Sequence, residues 1–273
     1  MLKTRLIPVV LLRNGLVVQS RNFKRYQALV NPTTVVSRLS DWASDELIYL
    51  DITREAGYDL RRDDLNTPNR DNILDIVSDV AGRCFMPLTF GGGIRTVADA
   101  AARLERGADK IAINTEAFRR PAFITECAQA FGSQCVVVSV DVKQTENWRW
   151  EVVIDGGREL TGRSVTEWVR EIEARGAGEI LINSVDEDGK GQGYDLDLLR
   201  TVASSVSIPV IGLGGVGQWS HFADAIRDTG VSAVAAANIF HHSEQSVLKA
   251  KKYLYEAGMN VRRPELLRVP AGV

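Results

Sequence analysis

The chain has few cysteines and histidines and no long apolar run. Cys84, Cys127 and Cys135 form no CxxC pair and have no patterned histidine nearby, so their spacing indicates neither a zinc site nor a disulfide framework. We therefore expect a reducing compartment, the cytoplasm, and no metal or cofactor. The apolar run at 6–12 is about seven residues long, far short of the roughly 20 that a membrane span needs.

Neither sign of charge dominates. The 33 basic and 35 acidic residues leave a formal net charge of −2, which is not typical of a nucleic-acid binder or of a protein that binds acidic membranes. A Walker loop is absent, and the GLGGVG run at 212–217 lacks the acidic residue of a dinucleotide site. No Ser–His–Asp or Cys–His pattern is evident. We expect structural roles for the three histidines, His221, His241 and His242.

What the sequence does contain is an alternation of short apolar runs and amphipathic stretches. The apolar runs are continuous and rich in β-branched residues, which is typical of parallel strands covered on both faces. Eight such runs with helical connections predict a closed (β/α)8 barrel, an α/β fold in one domain over 1–273 with a tail from about 259. The predicted strands are 6–12, 46–52, 86–92, 110–114, 135–142, 179–185, 208–215 and 233–238.

The second half of the chain resembles the first half. FGGGI at 90–94 recurs as LGGVG at 213–217, and each follows a strand that begins with proline. Gly93 and Gly215 are 122 residues apart (215 − 93), and Phe118 and Phe240 are separated by the same interval (240 − 118). A half-chain repeat of four βα units predicts a barrel made of two half-barrel repeats.

Glycine-rich turns end two corresponding strands, one in each half. Glycine lets backbone N–H groups approach an anion closely, and the helix that follows adds the positive end of its dipole. Barrels commonly bind phosphate in this region. We therefore predict a phosphorylated small molecule, with two phosphate groups or two phosphate-like ends, across the mouth of the barrel. The residues concerned are Gly92, Gly93, Asn114, Thr115, Gly214, Gly215 and Asn238.

Acidic residues stand at strand ends on the same face, where the long polar segments 14–32 and 53–70 are predicted loops. A carboxylate in this position can act as a general acid or base, although aspartate also caps helices and orders loops. We favour catalysis for Asp141, because it ends a very apolar run. Asp186 and Asp188 follow the sixth strand, and we favour loop ordering or phosphate positioning for both. Asp51 is a further candidate for the substrate site.

Four charged residues stand at the opposite ends of the strands. Arg5, Glu46, Lys110 and Glu179 lie at or just before the starts of the first, second, fourth and sixth strands, so the sign of the charge alternates. Charges in this position normally form a salt-bridged plug that closes the bottom of a barrel. On the residues alone, a stabilising plug is the simplest interpretation.

From residue 1 to about 262 the chain resembles HisF, the cyclase subunit of imidazole glycerol phosphate synthase. The resemblance implies a barrel that binds a HisH-type glutaminase at its N-terminal face. It further implies that ammonia enters there, crosses the interior and reacts with a bisphosphorylated substrate at the top. The segments that carry the resemblance are RLIPVVL, DELIYLDIT, FGGGI, GADKIAINTEA, FGSQCVVVSVD, RGAGEILINSVDEDG, GLGGVG and NIFH.

The resemblance also implies roles for individual residues. Asp141 matches one of the two catalytic aspartates of HisF, and Asp109 matches a position of the glutaminase interface. The gate at which ammonia enters is matched by Arg5, Glu46, Lys110 and Glu179. The phosphate-site positions are matched by Gly92, Gly93, Asn114, Thr115, Asp188, Gly189, Gly214, Gly215 and Asn238.

The chain departs from HisF at the mouth of the barrel. The other catalytic aspartate falls at Leu11, which cannot transfer a proton, and the lysine of the substrate-holding loop falls at Gln19. Two serines, after the seventh and eighth strands, become Leu213 and Asn238. Losing a general acid or base costs a factor of about 10² to 10⁴ in rate. The gate residues are retained and the mouth is altered, and this combination indicates that ammonia is delivered to a changed acceptor.

The opening IP-V-LL-NG-LV resembles the HisF-like proteins of bacterial surface-polysaccharide pathways. Our leading hypothesis is therefore a HisF-like chain that receives ammonia from a HisH-like glutaminase and serves an ATP-dependent N-acetyl sugar amidotransferase, in the synthesis of an acetamidino sugar. One alternative is an authentic histidine-pathway cyclase with a rearranged acid/base pair. Another is a non-catalytic conduit that docks both enzymes. The related sugar isomerase needs both catalytic aspartates, so Leu11 counts against it.

Overall fold

The eight predicted barrel strands form a closed parallel barrel in the computed structural model, which describes residues 2–54, 57–60, 70–147, 149–241 and 246–264. The last barrel strand pairs with the first, so the predicted (β/α)8 fold is confirmed. In chain order the strands are β1 (Arg5–Arg13), β2 (Leu16–Arg21), β3 (Arg25–Val30), β4 (Leu47–Asp51), β5 (Leu88–Gly91), β6 (Lys110–Ile113), β7 (Val136–Lys143), β8 (Glu151–Ile154), β9 (Glu159–Ser164), β10 (Glu179–Ser184), β11 (Val210–Leu213) and β12 (Ala233–Ala236). The barrel consists of β1, β4–β7 and β10–β12.

Helices connect the barrel strands and cover the outside of the barrel. Several begin at a side chain that accepts a hydrogen bond from a first-turn amide, as Thr96 does from Asp99. None of the helices in the described ranges is long and apolar enough to cross a membrane. The helices are α1 (Pro32–Asp41), α2 (Ile73–Ala81), α3 (Val97–Glu105), α4 (Thr115–Arg119), α5 (Ala122–Phe131), α6 (Val165–Ala174), α7 (Leu196–Ala203), α8 (Trp219–Asp228) and α9 (Val247–Glu256).

The apolar strand residues are divided between two cores, which explains why the strands are continuously apolar. Alternate residues point to opposite faces of a strand. One set packs under the helices, as Leu6 and Leu47 do. The other set fills the barrel interior and includes Ile7, Val9, Ile48, Ala112, Val137, Leu181, Ile211, Ala233 and Ala235.

Two antiparallel hairpins rise from the C-terminal ends of barrel strands. The hairpin β2–β3 follows β1 and occupies the segment predicted as a loop at 14–32, and β8–β9 follows β7. Their tips meet, since a Cβ atom added to Gly157 would lie 3.1 Å from the ring of Phe23. Each hairpin follows the first strand of a half-barrel, so the internal repeat extends to the hairpins.

Some predicted features lie partly outside the described residues. This holds for His242, for 55–56 and 61–69 of the predicted loop at 53–70, and for the tail beyond 264. The described part of the tail runs beside β1, where Val261 bridges Thr4. His221 lies in the first turn of α8, and its Nδ1 accepts a hydrogen bond from the Gly217 amide at 3.2 Å.

Candidate functional site

The four charged residues at the N-terminal end form a closed ring of ion pairs. Arg5 bonds Glu46 at 2.5 Å and also bonds Glu179. On the other side of the ring, the Lys110 Nζ lies 3.1 Å from a carboxylate oxygen of each glutamate. The two acidic side chains are 9% and 7% exposed, and the two basic ones 23% and 19%. Solvent therefore screens these pairs less than it screens ordinary surface pairs.

The ring holds its charges in place electrostatically. Burial works against the charge on Arg5, but Glu179 and Glu46 together hold the pKa of its guanidinium above the ordinary value. Asp109 precedes Lys110, is exposed, and accepts a hydrogen bond from the Leu88 amide at 2.8 Å. Asp109 thus fixes the start of β5 against β6.

An apolar interior separates the ring from the mouth of the barrel. The side chains in between are mostly aliphatic. Thr89 and Ser139 are buried as well, and strand alternation turns both of them toward the barrel axis. A charged ion is strongly disfavoured in such surroundings, whereas a small neutral molecule is not.

Asp141 is the buried carboxylate at the mouth, and two amides hold it. The Asn114 Nδ2, from the end of β6, donates to one carboxylate oxygen at 2.8 Å. The Asn183 Nδ2, on β10, donates to the other oxygen at 3.1 Å. Burial raises the pKa of Asp141 to about 6, these two hydrogen bonds oppose the rise, and the charge of Asp188 adds to it. A carboxyl group with this pKa can give or take a proton near neutral pH.

The position corresponding to Asp141 in the first half-barrel is apolar. Leu11 lies on β1 and pairs in register with Leu50 on β4, whereas Asp141 pairs with Asn183. The side chains of Leu11 and Leu50 pack against the interior core. The mouth therefore combines one acidic half with one apolar half.

A cavity of about 190 Å³ opens on the side of the mouth that the second half-barrel forms. Its size suits a phosphate group. Gly215 must be glycine, because its φ is 91° and an added Cβ would lie 1.9 Å from the Gly193 oxygen. Gln19, where HisF has its loop lysine, lines the cavity. The predicted phosphate residues that also line it are Asp188, Gly189, Gly214, Gly215 and Asn238.

The cavity rim holds the β2–β3 hairpin. The Asp188 carboxylate accepts hydrogen bonds from the Ser20 hydroxyl at 2.9 Å and from the Phe23 amide at 3.1 Å. The Asn238 Nδ2 donates to the backbone oxygen of Ser20 at 2.6 Å. Burial raises the pKa of Asp188 against these hydrogen bonds. Asp188 and Asn238 thus hold the β2–β3 hairpin through these hydrogen bonds, and their contact with phosphate stays a prediction.

The predicted site in the N-terminal half is arranged differently. Gly92 has the same φ as Gly214, 103°, but Asn114 bonds Asp141 and the Thr115 hydroxyl accepts from the Asp155 amide at 3.0 Å. The Gly92 oxygen accepts a hydrogen bond from the buried Arg103 at 2.8 Å. The two glycine turns therefore have the same φ at the first glycine and differ in the side chains around them.

Asp51 stands beside this turn and is engaged by its own loop. Its carboxylate accepts hydrogen bonds from the Tyr58 hydroxyl at 2.7 Å and from the Thr53 amide at 2.9 Å. Burial, together with the charge of Asp51, raises the pKa of Tyr58. An added Cβ on Gly92 would lie 2.1 Å from the Asp51 oxygen, so this turn also requires glycine. Asp51 therefore orders its own loop and lies against the Gly92 turn.

Two side chains at the site escaped the sequence analysis. Asn183 was not predicted. It lies two residues after Leu181 on a strand whose alternate residues point inward, and this alternation is the signal that could have located it. Arg103 resembles a surface charge in the sequence, yet it lies on the buried face of α3 with Ala100. In the part of the chain that the structure describes, no group of three or more His, Cys, Asp or Glu side chains could hold a metal ion.

A closed (β/α)8 barrel with a buried carboxylate and glycine turns at its C-terminal mouth has the architecture of a barrel enzyme. The model of the family described as histidine biosynthesis protein matches residues 5–246. The chain belongs to this family.

Proposed function

We propose that this chain takes up ammonia at the N-terminal end of the barrel from a HisH-type glutaminase and delivers it through the interior to an acceptor at the C-terminal mouth. The observation that carries the proposal is the ring of Arg5, Glu46, Lys110 and Glu179 at one end of an apolar interior whose other end holds Asp141. The resemblance to HisF, in which ammonia enters at the four matching positions, favours a gate over a simple plug.

The chemistry of the ring suits a gate for a small neutral amine. Lys110 bridges both glutamates and has a flexible stem, so rotation of one side chain would open the ring without moving a strand. The aliphatic lining beyond it favours ammonia over ammonium, because burying an unpaired charge is strongly unfavourable. The proton of any ammonium ion would have to remain at the ring.

The altered mouth supports a changed acceptor. Because position 11 is leucine, proton transfer at the mouth falls to the buried carboxyl group of Asp141. Because position 19 is glutamine, it does not give the cavity the positive charge that the loop lysine gives HisF. We therefore favour amidation in surface-polysaccharide sugar biosynthesis, with an ATP-dependent N-acetyl sugar amidotransferase as a second partner. A phosphorylated small molecule would occupy the cavity.

The purified chain assayed with ammonia and the histidine-pathway substrate tests this assignment. We expect turnover to be lower than that of HisF by about the 10² to 10⁴ that a missing acid or base removes. Turnover at the rate of an ordinary HisF, together with rescue of a histidine auxotroph, would favour the authentic cyclase instead. A glutaminase gene and an amidotransferase gene beside sugar-nucleotide genes would support the polysaccharide role.

A further inference from the structure

Arg103 is a buried cation at the glycine turn of the N-terminal half-barrel. It lies on α3 and is 5% exposed. Its Nη2 donates to the Gly92 oxygen at 2.8 Å, and its Nη1 donates to the Asp99 backbone oxygen at 2.8 Å. A guanidinium has five N–H groups, so these two hydrogen bonds leave three of them for other acceptors.

Within the part of the chain that the structure describes, the charge of Arg103 has no ion-pair partner. Among the described residues, no carboxylate oxygen lies within 4.0 Å of its guanidinium, and its buried Nε has no acceptor. Burial accordingly lowers the pKa of Arg103, and the more distant charges of Asp99 and Asp51 offset this only in part. Buried charges in proteins are normally paired, so a buried guanidinium of this kind beside a glycine turn is suited to bind an anionic ligand.

The glycine turn leaves room for an anion next to this charge. At Gly93 the φ is 64°, and an added Cβ would meet only the Arg103 Nη2, at 3.7 Å. The space above Gly93 is therefore bordered by the guanidinium. Glycine turns of this kind let an oxyanion approach the backbone closely.

The helices that follow the two glycine turns begin in different ways. At the start of α3, the Asp99 carboxylate accepts from the Arg95 and Thr96 amides, so the protein's own anion occupies the helix N-terminus. At the start of α8, Gln218 makes no side-chain cap. The C-terminal-half turn can therefore offer helix amides to a phosphate, whereas the N-terminal-half turn needs another source of positive charge.

We propose that Arg103 is the charged donor of an oxyanion site at the Gly92–Gly93 turn and binds one phosphate group of the ligand. The inference rests on the proposed function, in which a phosphorylated molecule spans the mouth, and it makes the two ends of that molecule unequal. One phosphate is held by a guanidinium, and the other by uncharged donors around Gly215. A ligand with a single phosphate would then bind in the orientation that places this group on Arg103.

A phosphate titration followed by the ¹H–¹⁵N signals of the glycine amides tests the site directly. With inorganic phosphate as the probe, we expect Gly92 and Gly93 to shift in the wild-type chain. In Arg103→Leu, their apparent affinity should fall about tenfold or more, the effect of one hydrogen bond from a charged group, while the response of Gly214 and Gly215 is unchanged. Arg106→Leu is the matched control, since Arg106 lies next to α3 but is 49% exposed.

The outcomes separate this inference from the proposed function. Equal phosphate affinity at Gly93 in the wild type and Arg103→Leu, or no shift there in the wild type, would overturn the role of Arg103. Arg103→Lys keeps the charge without the planar fork and should bind phosphate with intermediate affinity, which keeps the inference testable if the leucine variant does not fold. A wild-type complex in which amidation is not coupled to glutamine hydrolysis would instead contradict ammonia delivery.

Discussion

The two ends of the barrel treat charge in opposite ways. At the N-terminal end, two basic and two acidic side chains from four strands satisfy one another in a ring. At the C-terminal mouth, Asp141 is held by two neutral amides and faces an apolar half at Leu11. The first arrangement fixes every charge, whereas the second leaves one carboxyl group able to change its protonation near neutral pH.

This difference separates what a barrel needs for stability from what it needs for chemistry. Taken alone, the ring is explained as a stabilising plug, and Asp141 alone is explained as one buried polar side chain. Their placement on one axis, with an aliphatic interior between them, makes the combination informative. Changes at either end should therefore have different consequences for ammonia supply and for product formation.

The largest effect is expected from Asp141→Asn. Removing the proton-transfer group at the mouth should lower product formation by a factor of about 10² to 10⁴, while glutamine hydrolysis by the partner continues. Steady-state rates of both reactions provide the measurement. Asp186→Asn is the control, since Asp186 lies after the same strand as Asn183 but accepts a hydrogen bond from the Gln144 amide at 2.7 Å. Unchanged amidation in Asp141→Asn would favour the non-catalytic conduit.

A smaller but more specific effect is expected from Lys110→Ala at the opposite end. The two ring glutamates lose their bridge, so the ring no longer closes, and breaking a buried ion pair costs about 3–5 kcal/mol at most. Products formed per glutamine hydrolysed should fall well below one, while product formation from added ammonium chloride persists. Arg200→Ala removes an exposed pair with Asp197 and serves as the control. Undiminished coupling in Lys110→Ala would count heavily against entry of ammonia through the ring.

The pH dependence of product formation should follow Asp141. With a pKa of about 6, its ionised fraction exceeds nine-tenths at pH 7 and falls to about one-tenth at pH 5. If the carboxylate accepts a proton in the slow step, the rate should therefore fall about tenfold between these two values. A pH–rate profile with saturating ammonia measures this limb. A rate that rises toward pH 5 would instead assign the protonated form as the active one.

The smallest effect should come from Leu11→Asp, which gives the apolar half of the mouth a carboxylate at the position that corresponds to Asp141. A second carboxylate at the mouth repels the charge on the first, so the pKa of Asp141 should rise further. The acid limb of the pH–rate profile should move to higher pH accordingly. Leu11→Asn adds polarity without charge and should leave the limb in place. An unmoved limb in both variants would mean that Leu11 and Asp141 do not share one site.

The sequence predicted most of the fold because parallel barrel strands are apolar on both faces. Each predicted barrel strand ends within two residues of the observed one. The β2–β3 hairpin was predicted as a loop, because no residue of β3 is fully buried and the strand has no apolar run to mark it. The β8–β9 hairpin also went unpredicted. No residue of β9 is fully buried either.

The site was predictable in position but not in pairing. Charges at strand starts, as at Glu46, and carboxylates at strand ends, as at Asp141, can be located from the strand pattern alone. Which neighbours hold them depends on barrel closure and strand register. Asn183 reaches Asp141 because β10 lies beside β7, and Arg103 faces Gly92 because α3 folds back over its own turn.

Isotope competition tests delivery of ammonia through the barrel most directly. A complex of this chain with the proposed HisH-type glutaminase and the proposed acceptor enzyme would receive glutamine labelled with ¹⁵N in the side-chain amide, in buffer containing excess unlabelled ammonium. Delivery from ring to mouth predicts a product that carries mainly ¹⁵N, and a product diluted toward the bulk nitrogen in Lys110→Ala. A wild-type product with the isotope ratio of the bulk ammonium would contradict passage through the barrel.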